Sequence, residues 1–125
     1  MILGIGIDII EVARIQASHE KFGERFLGRI LRPSEIGYCL SYKVPAPFLA
    51  ARFAAKEAIS KAFGTGIGQH LGWLDMEVDH HPSGEPVVIL HDDGQRLLQE
   101  RNGRRVHLSL SHTAHYAAAV AILES

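Results

Sequence analysis

The 125-residue chain has one cysteine, one tryptophan and few aromatics of any kind. A lone cysteine, Cys39, excludes an internal disulfide and any metal site built from several cysteines. Flanked by Tyr38 and Leu40, with no His or Asp beside it, Cys39 reads as a buried structural thiol. The longest apolar run, Tyr116 to Leu123, is eight residues, whereas a membrane-spanning helix needs ~20. The opening Met1-Ile2-Leu3-Gly4 has no basic stretch and soon reaches Asp8, which speaks against a secretory leader and for the cytoplasm. No repeat, linker or low-complexity segment interrupts the chain, so residues 1–125 are expected to form a single domain. Net charge is −1, which argues against general nucleic-acid binding. That total hides an asymmetry: residues 1–63 hold nine Lys/Arg and six Asp/Glu, and residues 64–125 hold four and eight. A basic first half suits an acidic partner or a phosphate ligand.

Aromatics make up 7% of the residues, against 14 alanines, so the core must pack closely with small side chains. With 46% hydrophobic and 22% charged residues, the composition is that of a folded chain. Ile2 to Ile10 reads as a buried strand interrupted by Gly4 and Gly6. Helical spacing follows from Glu11 to Glu20, again around Phe22 to Ile30, and after Pro33. Pro47 to Phe63 is the clearest helix, with proline near its start and Gly64 past its end. The period then changes to two: Trp73 to Asp79 and Val87 to Leu90 are expected as strands around the turn Pro82 to Pro86. Asp92 to Arg101 reads as a helix capped by Asp92 or Asp93, and Val106 to Ser111 and Ala117 to Leu123 as strands. Helices concentrated in the first half and strands in the second predict an α+β fold with a largely antiparallel sheet.

Three features could carry chemistry. Asp8 lies in the apolar run Ile5 to Ile10, where a carboxylate is expensive to bury unless it is paired, hydrogen-bonded or metal-bound. It either caps the helix from Glu11 or serves as a ligand. Glu57 sits mid-helix among Phe53, Ala54, Ala58 and Ala62, with Lys61 one turn on. They form either an ordinary i,i+4 pair or, with Asp8, a two-carboxylate magnesium site with Lys61 facing phosphates. Arg52 and Lys56 add two more cations to this helix. Ser109, Ser111, His112 and Thr113 form a row of hydroxyls ending in histidine, either a phosphate cradle or a solvated strand face. The GxSxG elbow of a seryl hydrolase is absent, as is any HExxH or Cys/His zinc spacing among the eight histidines. Gly4-Ile5-Gly6 lacks the third glycine of a dinucleotide fingerprint.

Taken together, these motifs resemble a known family. Gly4-Ile5-Gly6-Ile7-Asp8-Ile9-Ile10-Glu11-Val12-Ala13-Arg14 is similar to the opening signature of bacterial holo-acyl-carrier-protein synthases. Arg52 to Ala58, then Lys61-Ala62-Phe63-Gly64-Thr65-Gly66, resembles their central helix, and Ser109-Leu110-Ser111-His112 with Ala117, Ala119 and Val120 their C-terminal signature. The resemblance implies the phosphopantetheinyl-transferase fold and transfer of the phosphopantetheine arm of coenzyme A onto a serine of apo acyl carrier protein in fatty acid biosynthesis. It implies Mg2+ on Asp8 and Glu57, with Lys61 as the third catalytic residue. For coenzyme A it implies Arg52, Lys61, Gly64, Ser83, Gly84, Pro86, Ser109, Ser111, His112 and Thr113. Arg14, Arg25, Phe26 and Arg29 fall where the family docks the acidic carrier protein, and the family assembles as a homotrimer with sites between subunits. Glu85 stands where relatives often carry lysine and is left out of the site. Two other classes would use the same residues: a magnesium-dependent pyrophosphate hydrolase, and a non-catalytic module binding acidic proteins through Arg14, Arg25 and Arg29.

Overall fold

The computed structural model describes residues 1–125, ordered as strand β1 (Ile2–Glu11), helices α1 (Val12–Phe22), α2 (Glu24–Ile30), α3 (Pro33–Leu40) and α4 (Ala46–Phe63), strands β2 (Met76–His80) and β3 (Pro86–Leu90), helix α5 (Asp93–Glu100), and strands β4 (Arg105–His112) and β5 (Tyr116–Glu124). All strand pairs are antiparallel, in two sheets ordered β1-β5-β4 and β2-β3. The fold is α+β, as the division between helical and strand-rich halves predicts. One expectation needs correcting: Trp73–Asp75 forms a turn of 3-10 helix, not the start of a strand. The Asp75 carboxylate accepts the Gly72 N–H at 2.8 Å, a local bond that competes with extended structure.

Helix α4 lies across the larger sheet and centres the core. Its alanines Ala50, Ala51, Ala54, Ala55, Ala58 and Ala62 are buried, as are Ala117, Ala119 and Ala121 of β5. Small side chains on both surfaces allow helix and sheet to approach closely. The approach is tightest at β1, where a Cβ on Gly4 would overlap the Ala62 carbonyl oxygen and one on Gly6 the Ala58 carbonyl oxygen. Glycine is required there for space, not for phosphate binding. Gly64, at φ 81°, ends the helix in the left-handed conformation that glycine tolerates. Arg101 then clamps this corner by donating to the Phe63 and Leu3 carbonyl oxygens.

Strand β1 is buried on one face only, against the expectation of a buried strand. Gly6 and Ile10 face α4, whereas Ile5, Ile7 and Ile9 are 62%, 64% and 67% exposed. Across the sheet, Ile7 aligns with Val120 and Ser109, and Ile9 with Ala118 and Ser111. These rows form an exposed, largely apolar sheet face on the side away from α4. No helix is long and apolar enough to cross a membrane.

Candidate active site

Strand alternation and the glycine contacts determine where Asp8 points. As Gly4 and Gly6 touch α4, Asp8 is the next residue on the same face. It sits mid-strand, paired with Ala119, and α1 begins after Glu11 with no side-chain cap. Asp8 therefore does not cap the helix. Lys61 does not form the i,i+4 pair with Glu57. Its ammonium does not turn back to Glu57; it reaches across to β1, donating to Asp8 Oδ1 at 3.1 Å and to the Ile7 carbonyl at 3.0 Å. Glu57 lies near both groups and feels their charges. Burial, and next the Asp8 charge, push its carboxyl above the usual range, with Lys61 acting the other way. The Glu57 carboxylate accepts no hydrogen bond from the protein; only its backbone carbonyl does, from Ser60.

Two carboxylates and one lysine leave this cluster one negative charge in excess. No third His, Cys, Asp or Glu completes a cage. The donor set fits magnesium, which binds through one or two carboxylates and leaves its other positions to phosphate and water. Gly64 stands one turn beyond Lys61, its N–H bonded to the Lys61 carbonyl at 3.0 Å.

The remaining site residues fall elsewhere. Arg52 and Glu57 are five positions apart, about 140° around the helix axis, so Arg52 projects from the opposite flank of α4. There a cleft of about 190 Å³ gathers Arg52, Gly84, Pro86 and His112 with Tyr38, Phe48 and His80. The Arg52 guanidinium lies over the Tyr38 ring at 4.1 Å, and the Phe48 and His112 rings meet edge to face at 4.9 Å. Sequence patterning does not single out Tyr38, Phe48 or His80. Their one signal is the adjacent pair His80-His81 at a strand end, whose first member faces inward.

Two expectations about the cradle are corrected. Ser109 and Ser111 point to the exposed sheet face, away from His112, because residues one apart on a strand face opposite sides. Thr113 is occupied in the β4–β5 turn, where its Oγ1 accepts the N–H groups of His115 at 3.2 Å and Tyr116 at 3.1 Å. Ser83 is exposed in the β2–β3 turn and outside the cleft. Lys56 is not a free cation of α4: it is fully buried and paired with Glu35 at 2.7 Å. Arg25, Phe26 and Arg29 do come together, lining a groove of about 250 Å³ between α1 and α2 with Ser18 and Phe22. Arg14 lies one turn before Ser18 on α1 and is exposed.

The model of the 4'-phosphopantetheinyl transferase superfamily matches residues 4–121. The chain is 52% identical over 124 residues to the holo-[acyl-carrier-protein] synthase of Koribacter versatilis, covering 99% of each. It is 47% identical to that of Protochlamydia amoebophila over the full length of both. Among solved structures, the synthase of Neisseria meningitidis superposes with a TM-score of 0.92 at 38% identity, covering 100% of both chains. That of Helicobacter pylori, solved in complex with coenzyme A, gives 0.86 at 37%, covering 96% of this chain and 99% of that one. Likeness over the whole length, in sequence and in fold together, places the chain in the 4'-phosphopantetheinyl transferase superfamily as a member of the holo-[acyl-carrier-protein] synthase family.

Proposed function

We infer that the chain transfers the 4'-phosphopantetheine group of coenzyme A to a serine of apo acyl carrier protein, releasing adenosine 3',5'-bisphosphate, in cytoplasmic fatty acid biosynthesis. The observation that carries this is the Asp8–Glu57–Lys61 cluster in a chain similar throughout its length to holo-acyl-carrier-protein synthases. In the reaction the serine oxygen bonds to the pyrophosphate phosphorus that carries the pantetheine arm, the bond from that phosphorus to the bridging oxygen breaks, and adenosine 3',5'-bisphosphate leaves with that oxygen. The nucleophile belongs to the carrier, so this chain needs only to position two substrates and balance charge. Asp8 and Glu57 would hold Mg2+, which supplies positive charge to the pyrophosphate when bound. Lys61 adds a fixed ammonium beside it. Glu57, whose carboxylate accepts no hydrogen bond from the protein, would accept the serine proton.

Two halves of the site stand on opposite flanks of α4: Asp8, Glu57, Lys61 and Gly64 on one, Arg52, Gly84, Pro86 and His112 on the other. Asp8 and Leu110, which lines the second flank, both pair with Ala119, so two strand spacings, roughly 9–10 Å, separate the strands beneath them. A homotrimer with sites between subunits would bring one flank against the other flank of a neighbour. It would also cover the exposed Ile5, Ile7 and Ile9, and Ser109 and Ser111 on that face would then meet the neighbouring copy. The groove lined by Arg25, Phe26 and Arg29, continued by Arg14, offers the acidic carrier protein a basic surface with an aromatic floor.

Incubation with coenzyme A, Mg2+ and apo acyl carrier protein, followed by intact mass of the carrier, tests the function. The expected outcome is a gain of one phosphopantetheine group. No gain with any divalent metal would sink the reading, and breakdown of coenzyme A without carrier would replace it with the hydrolase.

A further inference from the structure

Arg52 is a buried cation with no carboxylate to balance it. It is 2% exposed, no Asp or Glu lies within ion-pair distance, and its Nε has no hydrogen-bond partner. A buried charge in that condition is costly unless a ligand completes it. Two rings hold it in place. Tyr38 lies beneath the guanidinium, and His80 stacks on Tyr38 with centroids 4.9 Å apart and planes 18° apart. Arg52 Nη2 then meets His80 Nδ1 at 3.4 Å.

That contact restricts the histidine. A guanidinium carries only donors, so His80 Nδ1 must be unprotonated and accept, leaving the ring proton on Nε2. An imidazolium would offer a second donor and a second positive charge. The surroundings favour the neutral ring. Burial first, then Arg52, hold the His80 pKa below its usual value, and the neighbouring Asp79 opposes them. The other groups facing the ring are Tyr38 from α3 and His112 across the cleft from β4.

We propose that neutral His80 is a positioning residue for coenzyme A: with Tyr38 it fixes the Arg52 guanidinium so that the remaining donors of Arg52 grip a phosphate group of the substrate in the cleft. This rests on the transferase reading above and adds to it a pH limit on substrate binding. On the acid side, protonation of His80 removes the acceptor and repels Arg52, so coenzyme A binds more weakly. The limit lies below the usual histidine range because the pKa is lowered.

The test uses the full chain and measures coenzyme A and adenosine 3',5'-bisphosphate binding by calorimetry, with steady-state kinetics, between about pH 5.5 and 8. His80→Ala is expected to raise Kd and KM for coenzyme A about tenfold while kcat stays within about twofold. His80→Asn keeps an acceptor near the Nδ1 position but cannot ionise. It is expected to bind within about threefold of wild type and to lose the acid-side weakening that wild type shows relative to it. Thermal melts confirm that both variants are folded. The proposal is overturned if folded His80→Ala binds like wild type, if His80→Asn binds no better than His80→Ala, or if wild type binds tighter toward acid through His80. Failure of wild type to bind coenzyme A or modify the carrier would overturn the transferase reading itself.

Discussion

Helix α4 carries two lysines five residues apart, each paired with a carboxylate from another element, and the two pairs have opposite characters. Lys56 is sealed. It donates to Glu35 Oε1 at 2.7 Å, to the Ile30 carbonyl at 2.7 Å and to the Trp73 carbonyl at 3.1 Å, using all three of its donors. Glu35 in turn accepts the N–H groups of Arg32 and Val78 at 2.9 Å each. This network ties α2, α3, the Trp73 turn and β2 to α4. Lys61 is open: its side chain is 50% exposed, and that of Asp8 is 17% exposed. It pairs with Asp8 alone, while the nearby Glu57 carboxylate has no hydrogen-bond partner. A pair whose valences are all filled can only hold a fold together, whereas a pair left short of positive charge can bind something else. Counting unfilled donors and acceptors separates structure from function here better than residue type does.

That contrast can be broken from either side. The largest effect is expected at the sealed pair. Lys56→Ala strands the buried Glu35 carboxylate and should cost about 3–5 kcal/mol of stability, measured by denaturant unfolding; a cost under about 1 kcal/mol would refute the sealed assignment. Next, Asp8→Asn and Glu57→Gln should lower the transfer rate by about 100- to 1,000-fold, or ~3–4 kcal/mol, with no loss of melting temperature. Lys61→Met should lower the rate by only about tenfold, because it removes one charge from the cluster and leaves both carboxylates. The smallest effect is on stability with metal. Burial and Asp8 raise the Glu57 pKa, so the fold disfavours its ionised form, and stability falls as pH rises from the usual glutamate value toward the folded one. Above that window Mg2+ should restore about 1–3 °C of melting temperature in wild type and none in Glu57→Gln.

Local features of the fold and of the site are legible in the sequence; contacts between distant segments are not. Helix ends marked by Pro47 and Gly64 and strands marked by alternation lie close to their expected positions. Asp8 stands out because a carboxylate is conspicuous in an isoleucine-rich strand. The parity of Ser109 and Ser111 against His112 is readable too, since period two puts them on opposite faces. Cys39 is buried, as its neighbours suggest, and burial pushes its thiol up to about 11, far from reactive. Pairing across the chain leaves no such mark. Glu35 and Lys56 are 21 residues apart, and Arg52 and His80 are 28 apart. Nothing in local spacing says that one cation of α4 is sealed by α3 while another lies beneath β2.

Strand β1 also bears on the order in which the site comes into being. Asp8 is held from one side by α4 and from the other by β5, whose residues 116–124 lie more than 100 positions away. The two ends of the chain even touch, with the Ser125 N–H donating to the Met1 carbonyl at 2.9 Å. Closing so long a loop carries a substantial entropic cost and slows folding. Asp8 therefore comes early in the sequence but is placed late. A chain emerging from the ribosome has Asp8 long before it has the strand that aims it, so it holds an inert precursor of the site until the C-terminal strand arrives.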